Sequence, residues 1–147
     1  MVTYATTKGQ HYINGNWTDG GIDNFDSFDS INPATGAVVG FFPKATKTEI
    51  ESTYHCAKDS FLGWREYSRV QRAEYFLKLA SLIEERKEEI ARLITLETGK
   101  VYNESVAEVN EALHMAQYAF STGRMPYGEA IASELPEKDA YMLRKPK

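Results

Sequence analysis

The only thiol in the chain, Cys56, directly follows a histidine, His55, and this pair could serve as a nucleophile with its base. Adjacent residues on a helix project about 100° apart, so the two side chains do not face each other. Cys56 is therefore expected to be an ordinary half-buried thiol. The three histidines, His11, His55 and His114, are expected to be solvated because they lack the ligand spacing of a metal site.

A second candidate is a cluster of four glutamates within 84–89, which also contains an arginine and a lysine. Paired carboxylates can act as general acid and base, but mixed charge at this density is typical of a solvated helix surface. The ten glycines form neither a G-x-G-x-x-G motif nor a P-loop, so their spacing predicts no nucleotide site. The residues alone thus indicate no active site.

The composition restricts the class of protein further. The 147 residues are 42% hydrophobic and 26% charged, as in a soluble globular chain, and the net charge of −4 argues against nucleic-acid partners. No apolar run is long enough to span a membrane, and residues 1–10 lack the apolar stretch of a signal peptide. We therefore expect a cytoplasmic protein without nucleic-acid or membrane partners.

Strand signals dominate the first third of the chain, after a segment over 1–11 that is expected to be flexible. Asn14-Gly15 between apolar pairs is a strong hairpin signal, because both turn residues need a positive φ. Residues 28–31 and 38–42 predict a second strand pair around a turn of the type Asn-Pro-Ala-Thr-Gly.

Three amphipathic helices are expected next. Thr46 with Glu49 forms a capping-box signature at the start of the first helix, and Ser68 with Gln71 forms another at the start of the second. The first helix carries one clear apolar stripe. The second is apolar on two sides, so it is expected to be covered from two directions.

The second helix is expected to continue to Gly99, with a bend or a solvated face at 84–89, and the third covers roughly 102–122. Residues 129–139 predict a loop, and 140–144 predict a strand that needs an edge to pair with. That edge could come from the earlier hairpins, from sequence outside this chain, or from another subunit. The segment itself is thus predicted to be α+β, with short hairpins, three helices and a C-terminal strand.

Several short phrases, in this order, resemble the N-terminal segment of the NAD(P)-dependent aldehyde dehydrogenase superfamily. The phrases are YINGNW at 12–17, INPATG at 31–36 followed by VVG at 38–40, Phe61 with Trp64 and Arg65, RAE at 72–74, LIEER at 82–86, LETGK at 96–100, YGE at 127–129 and LRKP at 143–146. Each phrase is weak alone, but their order and spacing together are specific.

The resemblance implies an α/β, Rossmann-related fold that is incomplete in this chain. Residues 12–138 would form the N-terminal part of the cofactor-binding domain, and 139–147 would start the strand used for oligomerisation. The family's oxyanion asparagine, cofactor-binding segments, general-base glutamate and cysteine nucleophile have no match here, and Cys56 falls where family members commonly carry a small residue. NAD or NADP would serve the full-length family, but neither is expected to bind this chain alone.

The resemblance also implies part of a cation site. Some family members hold Na⁺ or K⁺ through backbone carbonyls before the Asn-Pro turn and through an acidic residue before Thr-Gly-Lys. The matching positions are Ser30, Ile31 and Glu97. Another ligand would come from sequence outside this chain, so at most a half-site is predicted; the alternative is that Glu97 is an ordinary residue near a helix end.

Two hypotheses about function remain open. The chain is the N-terminal portion of an enzyme that oxidises aldehydes to carboxylic acids, a fragment or truncated product that is inactive without the remainder. Alternatively, it is a stand-alone interaction module that binds a partner or an intact dehydrogenase by strand addition through 140–144. Uncovered apolar faces favour self-association or binding to the remainder of a dehydrogenase in either case.

Overall fold

The computed structural model describes residues 7–20 and 27–145 as a mixed α/β chain. The strands are β1 (Thr7–Lys8), β2 (His11–Ile13), β3 (Asn16–Thr18), β4 (Ser27–Ile31), β5 (Val38–Pro43), β6 (Gly128–Ile131) and β7 (Ala140–Leu143). The helices are α1 (Lys47–Glu66), α2 (Arg69–Glu85), α3 (Lys87–Thr98) and α4 (Tyr102–Thr122). No helix among these residues is both long enough and apolar enough to cross a bilayer.

The predicted hairpin and the predicted strand pair are both confirmed. β2 and β3 pair antiparallel around Asn14 and Gly15, whose φ angles are 50° and 77°. β4 and β5 pair antiparallel, and β1 adds to the other edge of β5 in parallel. Of the segment expected to be flexible, residues 1–6 lie outside the described residues, and its flexibility stays a prediction. Thr7–Lys8 pair with β5, and the Gly9 N–H donates to the Phe41 carbonyl.

The helical region contains four helices within the described residues, because the expected second helix is interrupted at Arg86. Arg86 has φ −101° and ψ 15°, outside the helical range, and it ends α2 and precedes α3. Its guanidinium pairs with Glu89 in the first turn of α3. The charged stretch at 84–89 therefore contains a bend, as one of the two interpretations of the sequence proposed.

The core lies where α2, α3 and α4 pack together, and it is built from small side chains. The buried hydrophobic residues are Ala73, Ala80, Ala91, Val109 and Ala116. Small side chains let the helices approach closely: a Cβ on Gly123 would lie 2.3 Å from that of Ala73. Ser105 is fully buried, and its hydroxyl forms a 2.8 Å hydrogen bond with that of Thr95, so the polar group satisfies its bonding within the core.

After α4 the chain forms a two-stranded antiparallel ribbon, β6 with β7, which we call the terminal ribbon. The strand predicted at 140–144 is present, and its partner lies within this chain, at Gly128–Ile131. The loop predicted over 129–139 is therefore wrong for 129–131. The sequence of β6, Gly-Glu-Ala-Ile, contains a single β-branched residue, Ile131, so its strand signal is weak and its pairing depends on the contact with β7.

Candidate functional site

The structure brings together two of the three residues predicted for a cation half-site. Ser30 lies in β4 and Glu97 near the end of α3, and the Ser30 hydroxyl donates a 2.9 Å hydrogen bond to Glu97 Oε1. The Ser30 side chain is half-buried, and Glu97 is exposed. Ile31 follows Ser30 directly, at the point where the register between β4 and β5 shifts. Such irregularities interrupt the regular ladder of hydrogen bonds.

The turn that follows β4 fixes the position of this contact. Asn32 is buried and its side-chain oxygen accepts a 2.9 Å hydrogen bond from the Ala34 N–H, while its backbone N–H donates to the Ala37 carbonyl. The sequence predicted the turn but not this role of Asn32. An asparagine directly before a proline is the available signal, because its side chain can bond to the backbone two residues further on.

The same turn packs against the end of α3. Gly99 ends the helix with a φ of 72°, and a Cβ there would lie 2.9 Å from Pro33 Cγ and 3.0 Å from the Ala34 nitrogen. Glycine thus satisfies both the left-handed backbone and the close approach. The Asn-Pro turn and the Thr-Gly-Lys segment are 60-odd residues apart in sequence, yet they are held side by side.

A carboxylate, a hydroxyl and backbone carbonyls are oxygen ligands of the kind that hard cations prefer. The observed contact joins the Ser30 hydroxyl, not its backbone carbonyl, to Glu97. The ligand roles of the Ser30 and Ile31 carbonyls and of Glu97 stay a prediction. Within 7–20 and 27–145, no cluster of three or more His, Cys, Asp or Glu is arranged to hold a metal. That a further ligand comes from outside this chain stays a prediction.

The structure does not bring the other chemical candidates together. Cys56 is half-buried on α1, whereas His55 is exposed and its ring lies edge-on to Tyr54, with 5.8 Å between the ring centres. Among the glutamates at 84–89, Glu89 accepts two hydrogen bonds from Arg86. Hydrogen bonding to Arg86 lowers the pKa of Glu89 and therefore favours its ionised form. A catalytic acid needs a raised pKa instead.

Large apolar side chains are exposed along much of the described chain, and α1 and the terminal ribbon are two examples. On α1 they include Ile50, Tyr54 and Leu62, and this helix buries none of its residues. On the terminal ribbon they include Ile131 and Tyr141.

The aldehyde dehydrogenase family model matches residues 17–147. The malonate-semialdehyde dehydrogenase of Bacillus velezensis is 32% identical over 139 residues, which are 95% of this chain and 28% of that protein. The mitochondrial acylating methylmalonate-semialdehyde/malonate-semialdehyde dehydrogenase of Rattus norvegicus is 35% identical over 135 residues, which are 92% of this chain and 25% of that protein.

Solved structures agree with the sequence relatives. A crystal structure of betaine aldehyde dehydrogenase from Staphylococcus aureus in complex with NAD⁺ superposes with a TM-score of 0.82 at 28% identity, covering 96% of this chain and 28% of that one. The chain therefore belongs to the aldehyde dehydrogenase family. It corresponds to a partial, N-terminal segment of the family and spans little more than a quarter of the length of the relatives named above.

Proposed function

We propose that this chain forms the N-terminal part of an NAD(P)-dependent aldehyde dehydrogenase, which oxidises aldehydes to carboxylic acids, and that the chain alone is inactive. The observation that carries this proposal is the superposition of 96% of the chain on 28% of an NAD⁺-bound dehydrogenase. In this role the chain contributes scaffold and contact surface, and the reacting groups come from the rest of the enzyme.

The exposed apolar side chains of the described helices support this role. Ile50, Tyr54 and Leu62 on α1 are exposed, and α1 buries none of its residues. Helix α2 supports the same role, because its apolar side chains Tyr75, Leu79 and Leu82 are exposed. The remainder of a dehydrogenase would cover such faces.

The residues of this chain do not fit a dinucleotide cofactor. The sequence has no glycine-rich phosphate loop, so we assign no step of hydride transfer to this chain. Cys56 lies beside a histidine that packs on Tyr54, an arrangement without the facing base that would activate a thiol nucleophile. We propose instead that Ser30, Ile31 and Glu97 contribute half of a monovalent-cation site, completed by ligands outside this chain.

The proposal is tested by assaying the purified chain with NAD⁺ or NADP⁺ and three aldehydes: malonate semialdehyde, betaine aldehyde and benzaldehyde. We expect no reduced nicotinamide from the chain alone. Co-expression with the complementary part of the Bacillus velezensis relative is expected to restore activity. Activity of the chain alone that is lost in Cys56→Ser would contradict the predicted inactivity, and failure of every complementation would count against the scaffold role.

A specific observation also supports the alternative, a stand-alone interaction module. The terminal ribbon has only two strands, so the outer edge of β7 is unpaired within the described residues, and Tyr141 on this strand is exposed. A partner could add a strand there. Sedimentation and denaturant unfolding separate the two functions: a defined species that unfolds cooperatively favours the module, whereas loose packing and aggregation favour the dehydrogenase segment.

A further inference from the structure

Arg69 occupies an electrostatically unfavourable position in its own helix. It is the first residue of α2, where the helix dipole favours negative charge, and the first turn of this helix contains no acidic residue. A side chain that opposes a local preference is expected to be compensated by contacts elsewhere in the fold.

The compensating contacts of Arg69 lie at the C-terminal end of α4. Arg69 Nη2 donates a 2.8 Å hydrogen bond to the carbonyl of Thr122, the last residue of α4, and Nη1 donates another of 2.8 Å to the Met125 carbonyl. Carbonyls at a helix C-terminus lack intrahelical partners and lie at the negative end of the dipole. The charge that is unfavourable in α2 is therefore favourable at the end of α4.

The same guanidinium reaches the base of the terminal ribbon. Its central carbon lies 5.3 Å from the centre of the Tyr127 ring, and Tyr127 directly precedes β6. The Tyr127 carbonyl in turn accepts a 2.8 Å hydrogen bond from the N–H of Arg144, the residue that follows β7. One planar side chain thus contacts the end of α4, the connecting segment and the residue on which both ribbon strands converge.

We infer that Arg69 is the residue that positions the terminal ribbon on the helices. Its forked hydrogen bonds and its stacking on Tyr127 fix the direction in which the chain leaves α4. The functional consequence rests on the proposed function, in which this ribbon belongs to the association strand: Arg69 then sets the angle at which β7 is presented to a partner. A lysine would keep the charge but lose the planar fork.

Arg124 provides a matched control because it lies in the same connecting segment with different contacts. Its guanidinium donates to Glu74 at 2.8 Å and lies 5.1 Å from the centre of the Phe120 ring. These contacts join α4 to α2 without involving either strand of the ribbon. Loss of Arg124 therefore perturbs the helix junction alone.

The experiment is hydrogen exchange of the full chain, followed by mass spectrometry, for the wild type, Arg69→Gln, Arg69→Lys and Arg124→Gln. We expect Arg69→Gln to speed exchange of the ribbon amides by about tenfold, the size expected on losing hydrogen bonds from a charged donor. Amides in α3 and the first half of α4 should keep their rates. Arg69→Lys should give an intermediate acceleration confined to the ribbon, and Arg124→Gln should leave the ribbon unchanged.

Unchanged ribbon exchange in Arg69→Gln would overturn the inference. Equal acceleration in the ribbon and in α3 would overturn it as well, since this pattern indicates general destabilisation. An equal response of the ribbon to Arg124→Gln would do the same. The readout needs no dehydrogenase activity, so a failed complementation assay and a failed positioning role are distinguishable.

Discussion

Helices α1 and α2 begin in the same way and end up in opposite environments. Each starts at a complete capping box, formed by Thr46 with Glu49 in α1 and by Ser68 with Gln71 in α2. Yet α2 buries two alanines against its neighbours, whereas α1 buries none of its 20 residues. Equal local signals thus led to unequal packing.

The difference shows what a capping box and an apolar stripe determine. They fix where a helix begins and which side is apolar, because both depend on residues within a few positions of one another. They do not determine what covers the apolar side. Tyr54 on α1 is 65% exposed, while Val109 on α4 is 1% exposed.

Introducing a charge should give the largest difference in stability between the helical core and α1. Val109→Asp places an unpaired carboxylate in the helical core and is expected to lower the free energy of unfolding by about 3–5 kcal/mol. The matched change Tyr54→Asp on α1 should cost less than about 1 kcal/mol. Urea unfolding followed by circular dichroism measures both. Similar losses for the two variants would mean that the α1 face is buried in solution.

Two glycines with the same backbone conformation test the contact between the strands and the helices. Gly36 and Gly99 have φ angles of 71° and 72°, but a Cβ on Gly36 meets open space, whereas one on Gly99 meets Pro33. Gly36→Ala should cost about 1 kcal/mol from backbone strain alone. Gly99→Ala should cost about 1–3 kcal/mol more from overpacking. Equal melting temperatures for the variants would contradict the packing of the turn on α3.

The capping box of α1 contains a titratable residue, Glu49, where that of α2 contains Gln71. Acid should therefore weaken only the capping box of α1. The Thr46 backbone N–H, and then its hydroxyl, hydrogen-bond to Glu49 and lower the pKa of its carboxyl. Because the folded pKa is the lower one, this stabilisation is complete above the unfolded value of about 4.3 and is lost as the pH falls through the folded pKa. The first turn of α1 should therefore fray in acid, while Gln71 keeps that of α2 intact.

Amide exchange or amide chemical shifts of Ile50 and Arg72, followed from neutral to acid pH, measure this smallest effect. Glu49→Gln is the control, since it gives α1 the same type of box as α2. The pH dependence at Ile50 should disappear in that variant. Fraying of both helices at the same pH would indicate general acid unfolding and contradict the local assignment.

The strong turn signals of the sequence predicted the hairpins correctly. The short strands β1 and β6 and the long-range contacts have only weak signals in the sequence, and they were not predicted. Asn14 and Gly15 adopt the positive φ angles that their residue types favour. The short strands at Thr7–Lys8 and Gly128–Ile131 each contain only one β-branched residue, so their sequences signal a strand weakly; β5 and β7 pair with them. The interruption of the second helix at Arg86 was one of two interpretations that the charged stretch allowed.

For the candidate site as well, the sequence predicted the residues and the structure showed the contact between two of them. The resemblance to aldehyde dehydrogenases predicted Ser30, Ile31 and Glu97, and no local property of these residues would have selected them. Their distance in sequence hides the hydrogen bond between Ser30 and Glu97, which exists because the Asn-Pro turn packs on the end of α3. Arg69 was missed although an arginine opening a helix was visible, since its partners lie more than 50 residues away.

The sequence by itself determined the turns, the helix starts, the apolar stripes and the family, because these depend on neighbouring residues or on the order of short motifs. Only the tertiary structure decided which stripes are buried, which weak segments become strands, and where Ser30, Glu97 and Arg69 find their partners. The physical reason is that burial and long-range hydrogen bonds depend on surfaces that distant segments supply. Within the described residues no segment buries any residue of α1, whereas α2, α3 and α4 bury small side chains where they meet.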